Sequence, residues 1–311
     1  MDVINVSHLS KKFSNFNAVT DLSFTVRQAD VYGFLGQNGA GKSTTIRMLL
    51  TLIAPTDGEI ELFGMNLRTH RKEILRQVGA VIERPDLYKY LSAYENLLLF
   101  AKMSGLHIQR KLLMDQLEMV GLAERADSKV KTFSQGMKQR LGIAIALIHN
   151  PQLVILDEPV NGLDPQGIAD MRNLIMHLSR HLKKTVMVSS HLLNEMEQIA
   201  TRMLIIDKGK KITEGTVDEL FDPAKTIVEV EVNDPKAAAA EIINNGTWAS
   251  GLQQVNNNHL LFQIHKNQLA QLNKDLTGMN IAVTAFKPVN SLEKYFLSLT
   301  GTNQHVAAFT N

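Results

Sequence analysis

The sequence predicts an α/β fold, in which a mostly parallel sheet is covered by helices and is followed by a small C-terminal α+β domain. Three observations lead to this prediction. Short apolar runs alternate with helical patterns up to about residue 207, and a glycine-rich loop at 36–43 joins one such strand to a helix. After residue 222 the composition changes and a new series of strands and helices begins.

The length of 311 residues exceeds that of a typical single domain, so two domains of unequal size are expected. We predict a first domain at 1–222, with a helical insert at about 85–132, and a second at 223–301. A flexible tail is expected at 302–311.

The composition excludes several classes of function. A formal net charge of +2 is too small to argue for nucleic acid binding. The absence of cysteine excludes disulfides and cysteine-bound zinc, and fits a cytosolic protein. We find neither a signal peptide nor a membrane-spanning stretch, so a role at a membrane requires a separate membrane partner.

The first domain begins with two short strands at 3–6 and 21–26, separated by an expected polar turn at 11–17. These strands predict an antiparallel subdomain before the first glycine-rich loop. Further strands are expected at 59–63 and 77–82. The helical insert follows, and its first helix has a capping box formed by Ser92 and Glu95.

The loop at 36–43 reads GQNGAGKS, the full pattern of a phosphate-binding loop in its required context between strand and helix. Its glycines allow backbone N–H groups to approach a phosphate closely, and the following helix adds its positive end. Lys42 is predicted to reach the outer phosphates and Ser43 to take a position on Mg²⁺. The alternative is a glycine-rich turn that caps an ordinary helix. The residues assigned to the nucleotide are Gly36, Asn38, Gly39, Gly41, Lys42, Ser43 and Thr44.

A second constellation follows a predicted helix at 135–149. The wholly apolar strand at 153–156 is typical of a strand buried on both faces, and it ends at Asp157 and Glu158. We predict that Asp157 holds Mg²⁺ or its water and that Glu158 orients or deprotonates the attacking water. The alternative is a helix-capping acid at the end of a strand.

The remaining strands of the first domain are expected at 185–189, which leads to His191, and at 202–207, which leads to a hairpin turn at 208–210. In the second domain the order is strand, helix, two strands, helix, strand, which predicts a ferredoxin-like arrangement. Its elements are expected at 226–232, 235–245, 252–255, 260–264, 268–277 and 281–286, with a final helix at 291–299.

Residues 133–137, FSQGM, stand one helix ahead of the acidic strand end, and they resemble the signature of ABC-type ATPases. Asn161 to Asp164 resembles the D-loop of that family, and His191 resembles its switch histidine. The resemblance covers residues 1 to about 222. Taken singly, Ser134 or Asp164 can be a helix cap, and His191 can be structural.

The resemblance implies an ATPase in which two subunits pair head to tail, with each ATP between Lys42 of one and Ser134 and Gly136 of the other. It implies ATP and Mg²⁺ as cofactors and Lys42, Glu158 and His191 as catalytic residues. His191 would hold the γ-phosphate and the water, and Asp164 would signal across the dimer. Phe13 looks like the residue that stacks on adenine, with a core residue beneath the loop as the alternative.

This chain departs from the family's usual pattern at two places. Glu83 stands where most members of the family have glutamine. In this respect the chain resembles the ABC-2-type exporters of bacitracin and lantibiotic self-protection, in which a glutamate occupies this place. A carboxylate there can ligate Mg²⁺ more strongly than an amide but repels phosphates when the metal is absent, so we predict Glu83 as a metal ligand that couples metal occupancy to the membrane subunit. Within the signature, Gln135 and Met137 replace the more frequent glycine and glutamine.

The insert resembles the subdomain that receives a coupling helix of the membrane partner. A basic and aromatic loop opens it, and this loop is either a partner contact or a solvated connector. Its residues are Arg84, Tyr88, Lys89 and Tyr90. The stretch at 290–301 is similar to the closing segment of ABC-2-type ATPase subunits.

We therefore predict the ATP-hydrolysing subunit of an ABC exporter, homodimeric and held at the inner face of the cell membrane by a separate permease, with no nucleic acid partner. The alternative is a soluble ABC-type ATPase that acts on ribosomes or DNA. Such proteins usually carry two nucleotide domains or long coiled coils, whereas this chain has one such domain and no sustained heptads. A third class, a phosphate-loop kinase or GTPase, would not explain the presence of the signature residues at 133–137.

Overall fold

The computed structural model describes residues 1–106, 109–220, 226–256 and 258–289. The chain forms two compact units, one from Met1 to Gly215 and the other from Thr216 onward. In the described part of the chain, no helix combines the length and apolar character needed to cross a membrane.

The first unit contains ten strands and seven helices among its described residues. The strands are β1 (Asp2–Phe13), β2 (Phe16–Arg27), β3 (Val31–Leu35), β4 (Asp57–Leu62), β5 (Met65–Asn66), β6 (Val78–Val81), β7 (Leu153–Asp157), β8 (Thr185–Ser190), β9 (Arg202–Asp207) and β10 (Lys210–Thr216). The helices are α1 (Lys42–Leu49), α2 (Arg71–Leu75), α3 (Ala93–Met103), α4 (Arg110–Met119), α5 (Gln135–Leu147), α6 (Pro165–Arg180) and α7 (Leu193–Ile199).

The central sheet has six strands in the order β10-β9-β3-β8-β7-β6. The pairs β9 with β3, β3 with β8, β8 with β7 and β7 with β6 are all parallel. Every residue of β3, β7 and β8 is buried, which explains why these strands are continuous apolar runs rather than alternating ones. Because the three strands are neighbours, their carboxyl ends bring the phosphate loop, the acidic pair and His191 to one edge of the sheet.

The N-terminal strands form a second sheet, in the order β2-β1-β4-β5, with antiparallel pairs. The expected polar turn at 11–17 is wrong, because β1 runs to Phe13 and pairs with Phe16 at the start of β2. Only Ser14 and Asn15 remain for the turn. The polar residues here lie on exposed strand positions whose backbone groups are paired. Their polar side chains therefore reflect exposure to solvent and do not indicate that the strand ends.

The helical insert contains α3 and α4, joined to α5 by two short 3₁₀ turns. The predicted capping box is confirmed: Ser92 Oγ accepts a hydrogen bond from Glu95 N (3.1 Å), and Glu95 Oε2 accepts one from Ser92 N (2.7 Å). This cap satisfies backbone donors that the first turn of α3 would otherwise leave unpaired. The cap therefore fixes the start of α3, the helix that follows the entrance loop of the insert.

The second unit begins with the short helix α8 (Val217–Leu220) and contains a four-stranded sheet in the order β12-β13-β11-β14. Its elements are β11 (Thr226–Val232), α9 (Pro235–Asn245), β12 (Leu252–Val255), β13 (His259–Ile264), α10 (Leu269–Gly278) and β14 (Val283–Val289). Inward-facing residues of β11 and β13 form its core with both long helices and with Trp248. The expected helix at 291–299, the segment at 290–301 and the tail at 302–311 lie outside the described residues, and the predicted boundary at 222 falls on residues that are not described.

Candidate nucleotide-binding site

The glycine-rich loop lies between β3 and α1 and has the backbone of an anion-binding loop. Gly39 and Gly41 have φ angles of 84° and 109°, which L side chains rarely adopt. A Cβ on Gly41 would also lie 2.7 Å from Ala18 O, so no other residue fits there. Gly41 is the N-cap of α1 and supplies no side-chain cap, so the first N–H groups of the helix are left for an external acceptor. Asn38 is exposed in the loop, and Ser43 and Thr44 are half-buried in the first turn of α1.

Lys42 is buried, and its ammonium group is held among three oxygen atoms. Nζ donates to Gly36 O (2.6 Å) and Gln37 O (3.3 Å), and it lies 3.1 Å from Glu158 Oε1. An ammonium group has three donors, so this set occupies all of them. A phosphate that binds in the loop must therefore compete with Glu158 for the lysine.

Asp157 ends β7 and is fully buried. Its Oδ1 accepts a hydrogen bond from Ser189 Oγ on the neighbouring strand β8 (2.5 Å), and its Oδ2 is buried with no hydrogen-bond partner among the described residues. Burial of an unpaired carboxylate oxygen costs folding free energy, and such a group is typical of a site that binds a ligand. Sequence reasoning missed Ser189 as a site residue, although its position at the carboxyl end of an apolar strand was a signal.

Glu158 follows directly and has a φ angle of 51°, an unusual value for a residue with a side chain. Its backbone N donates to Ser189 Oγ (2.9 Å), which helps to hold this conformation. One carboxylate oxygen faces Lys42, and the other, Oε2, accepts a hydrogen bond from His191 Nδ1 (2.8 Å). Backbone strain of this kind clusters at functional sites, and here it aims the carboxylate at the phosphate loop.

The residues present fit a magnesium ion. Among the residues described, no cluster of three or more His, Cys, Asp or Glu side chains can hold a metal. Mg²⁺ bound with a nucleotide needs no such cluster, because it takes one or two protein oxygens together with phosphates and waters. The unpaired Oδ2 of Asp157 and the hydroxyl of Ser43 are oxygen groups of this type.

Glu83 lies two residues beyond the end of β6, with a φ angle of 54°. Its Oε1 accepts a hydrogen bond from Arg47 Nη2 at 2.7 Å, so the carboxylate is paired with a cation of helix α1. Both side chains line a cleft of about 820 Å³, which Gln135 and Glu158 also line. Arg47 was not among the residues that the sequence singled out.

Ser134 is the N-cap of α5, and its Oγ accepts a hydrogen bond from Met137 N (3.2 Å). Gly136 follows in the first turn, and a Cβ on it would meet only Leu163 Cδ2, at an ordinary contact distance of 3.8 Å. Among the residues that the structure describes, nothing within the subunit therefore requires glycine at this position. The cap that the sequence left as an alternative for Ser134 is present, and the space beside Gly136 is open to a group from outside the chain.

Asp164 is the N-cap of α6, and its Oδ1 accepts a hydrogen bond from Gly167 N (3.1 Å). Phe13 lies at the end of β1 with 45% of its surface exposed, and the ammonium group of Lys11 lies 4.9 Å from its ring centroid. This exposure excludes the alternative that Phe13 is a core residue.

Of the predicted residues, the fold thus brings together Lys42, Glu158 and His191 in direct contact, with Asp157 adjacent in sequence. None of these contacts involves Asp164, Phe13 or the two signature residues, Ser134 and Gly136. One subunit therefore holds the phosphate loop and the carboxylates as a connected group.

Comparison with known proteins gives a consistent result. The ABC transporter family pattern matches residues 19–161. The chain is 42% identical to the bacitracin transport ATP-binding protein BcrA of Bacillus licheniformis over 96% of this chain and 97% of that protein. It is 40% identical to the lantibiotic transport ATP-binding protein SrtF of Streptococcus pyogenes over 70% of this chain and 92% of that protein.

Solved structures agree on the fold of the first unit. An ATP-binding subunit of an ABC transporter superimposes with a TM-score of 0.63 at 32% identity, covering 70% of this chain and 91% of that one. A dimeric ATP-binding cassette in a post-hydrolysis state, bound to ADP and Pi, superimposes with a TM-score of 0.62 at 24% identity, covering 69% of this chain and 98% of that one.

Proposed function

This chain belongs to the ABC transporter family as one of its ATP-binding subunits, and from that premise we propose that it hydrolyses ATP to power export through a separate membrane permease. The observation that carries the proposal is the geometry around Glu158. The carboxylate stands at the end of a buried strand, in a strained backbone conformation, with Lys42 on one oxygen and His191 on the other. That arrangement supports Glu158 as the base and His191 as its orienting group beside the phosphate loop.

Binding of ATP begins with the loop. The N–H groups at the start of α1 and of the glycine-rich loop donate hydrogen bonds to the phosphates, and Lys42 exchanges Glu158 Oε1 for a phosphate oxygen. Ser43, Asp157 and Glu83 would hold Mg²⁺, which supplies neutralisation of phosphate charge. Phe13, which is exposed at the end of β1, stacks on the adenine ring.

Release of Lys42 frees Glu158 for chemistry. The carboxylate then orients or deprotonates the attacking water, and the His191 imidazole keeps it in position through Oε2. While Lys42 contacts Glu158 Oε1 the carboxylate is engaged by the ammonium group, so Glu158 acts on water only after Lys42 has moved to a phosphate oxygen.

We propose that two subunits pair head to tail, with Ser134 and Gly136 of one against the ATP of the other and Asp164 at the junction. The open space beside Gly136 supports this, because no described residue of the same subunit lies close enough to require glycine there. ATP holds the dimer together and hydrolysis releases it.

The relatives named as bacitracin and lantibiotic transport proteins support export of a peptide-type antibiotic as the cargo class. We place the protein at the inner face of the cell membrane, held by its permease, and we keep residues 1–222 as the ATPase domain and 223–301 as a ferredoxin-like domain. No observation favours the soluble alternative. Recovery with a polytopic membrane protein rather than with ribosomes would support this choice.

The test of the function is Glu158→Gln in the full chain. Loss of the base is expected to lower ATP turnover by about 10²–10⁴-fold, while ATP still binds and retains a dimer that light scattering detects. Glu118→Gln, at an exposed position on α4, serves as the matched control and leaves turnover unchanged. Undiminished turnover in Glu158→Gln would overturn the assignment of the base.

A further inference from the structure

The ion pair between Arg47 and Glu83 links the helix of the phosphate loop to the end of β6. It is short, at 2.7 Å between Arg47 Nη2 and Glu83 Oε1, and both side chains are substantially exposed, at 44% and 61%. Glu83 holds a positive φ angle of 54°, so its direction is set by an uncommon backbone conformation. The pair lines the same cleft as Glu158.

Arg47 has a defined relation to the proposed metal position. It stands four residues after Ser43 on α1, so the two side chains lie on the same face of the helix, one turn apart. Residues four apart on a helix have Cβ atoms about 5–6 Å apart, so the side chains of Ser43 and Arg47 leave neighbouring positions on α1. The guanidinium that holds Glu83 and a cation bound at Ser43 would therefore both be positioned by the same face of α1.

The charges explain why a partner is needed. A glutamate in a triphosphate site adds a negative charge that an amide would not, and this charge repels the nucleotide when no metal is present. A guanidinium on the carboxylate compensates for it. Because an exposed ion pair contributes little on its own, a divalent cation can replace Arg47 on Glu83.

We propose that Arg47 is the positioning residue of Glu83: it holds the carboxylate when metal is absent and competes with the divalent cation for it. This inference rests on the proposed function, in which Glu83 contacts the metal. It makes the metal affinity of the site depend on a residue of α1 that has no contact with the metal.

The experiment measures the Mn²⁺ concentration that half-saturates the full-length protein with a non-hydrolysable ATP analogue bound, followed by electron paramagnetic resonance. Arg47→Gln is expected to lower this midpoint by about 3–5-fold, because the competing ion pair is removed. In a Glu83→Gln background the same substitution is expected to change it by less than about 2-fold. Arg47→Lys restores the charge and returns the midpoint toward that of the wild type.

Arg84→Gln is the matched control, since Arg84 lines the same cleft, and its removal tests cleft charge in general. It is expected to shift the midpoint equally in the wild type and in the Glu83→Gln background. An equal shift for Arg47→Gln in both backgrounds, or no shift, would overturn the inference. Failure of the proposed metal contact of Glu83 would look different, because Glu83→Gln alone would then leave the Mn²⁺ midpoint unchanged.

Discussion

Gly136 offers a test in which stability and function move in opposite directions. The residue is the second of α5, and a Cβ added to it meets only Leu163 Cδ2 at 3.8 Å. Alanine has a better helix propensity than glycine by about 0.5–1 kcal/mol in a helix interior, and somewhat less in the first turn. We therefore expect Gly136→Ala to raise the unfolding temperature by about 1–3 °C.

Function is expected to fall in the same variant. If the ATP of a second subunit packs against this position, the added methyl group overpacks the contact, at a cost of about 1–3 kcal/mol. That cost corresponds to a roughly 5- to 150-fold weaker ATP-dependent dimer. The assay is light scattering with ATP, with Gly136→Ala placed in the slowly hydrolysing Glu158→Gln background, alongside thermal unfolding followed by circular dichroism.

Two other glycines calibrate the result. A Cβ on Gly278, at the end of α10, meets nothing within 4 Å, so Gly278→Ala leaves dimerisation unchanged. A Cβ on Gly142 would lie 2.5 Å from Pro85 Cβ, so Gly142→Ala is expected to destabilise the fold. A Gly136→Ala variant that is more stable and still dimerises as the wild type does would refute the role of this glycine at an ATP contact between subunits.

Two further substitutions test the supports of the fold and the site. Ser189→Ala removes the hydroxyl that lies between Asp157 Oδ1 and Glu158 N. Because the buried carboxylate then lacks that donor, the free energy of unfolding in urea is expected to fall by about 1–3 kcal/mol, and ATP turnover is expected to fall as well. An unchanged unfolding midpoint would show that the hydroxyl is not needed. Tyr32→Phe removes a buried hydroxyl that donates to Glu214 Oε1 (2.7 Å), at an expected cost of about 1–2 kcal/mol near pH 8. Burial and, after it, the Glu214 carboxylate raise the pKa of Tyr32 well above its ordinary value of 10.0. The stabilisation is therefore complete below pH 10.0 and declines above it, as the tyrosine of the unfolded chain ionises while the buried one stays protonated. Urea unfolding at pH 8 and pH 10.5 is expected to show a smaller difference between wild type and Tyr32→Phe at the higher pH; a constant difference would contradict this assignment.

Much of the fold could be read from the sequence because its signals are local. The phosphate loop, the apolar strand before Asp157 and the capping box at Ser92 each depend on residues that are near neighbours in the chain. Buried parallel strands can also be recognised in the sequence as continuous apolar runs. The full length of the β1–β2 hairpin could not be recognised in this way, since its polar residues are on exposed strand positions. Polarity alone does not separate such a strand from a turn.

Binding of a nucleotide phosphate can be predicted from the sequence alone, because the loop, its lysine and the following helix are contiguous. The groups that surround that loop depend instead on tertiary contacts. The order of strands in the sheet sets Glu158 between Lys42 and His191, and it places the Ser189 hydroxyl against Asp157. The pairing of Arg47 with Glu83 likewise joins α1 to the segment that follows β6, and no local pattern encodes such a contact between distant segments.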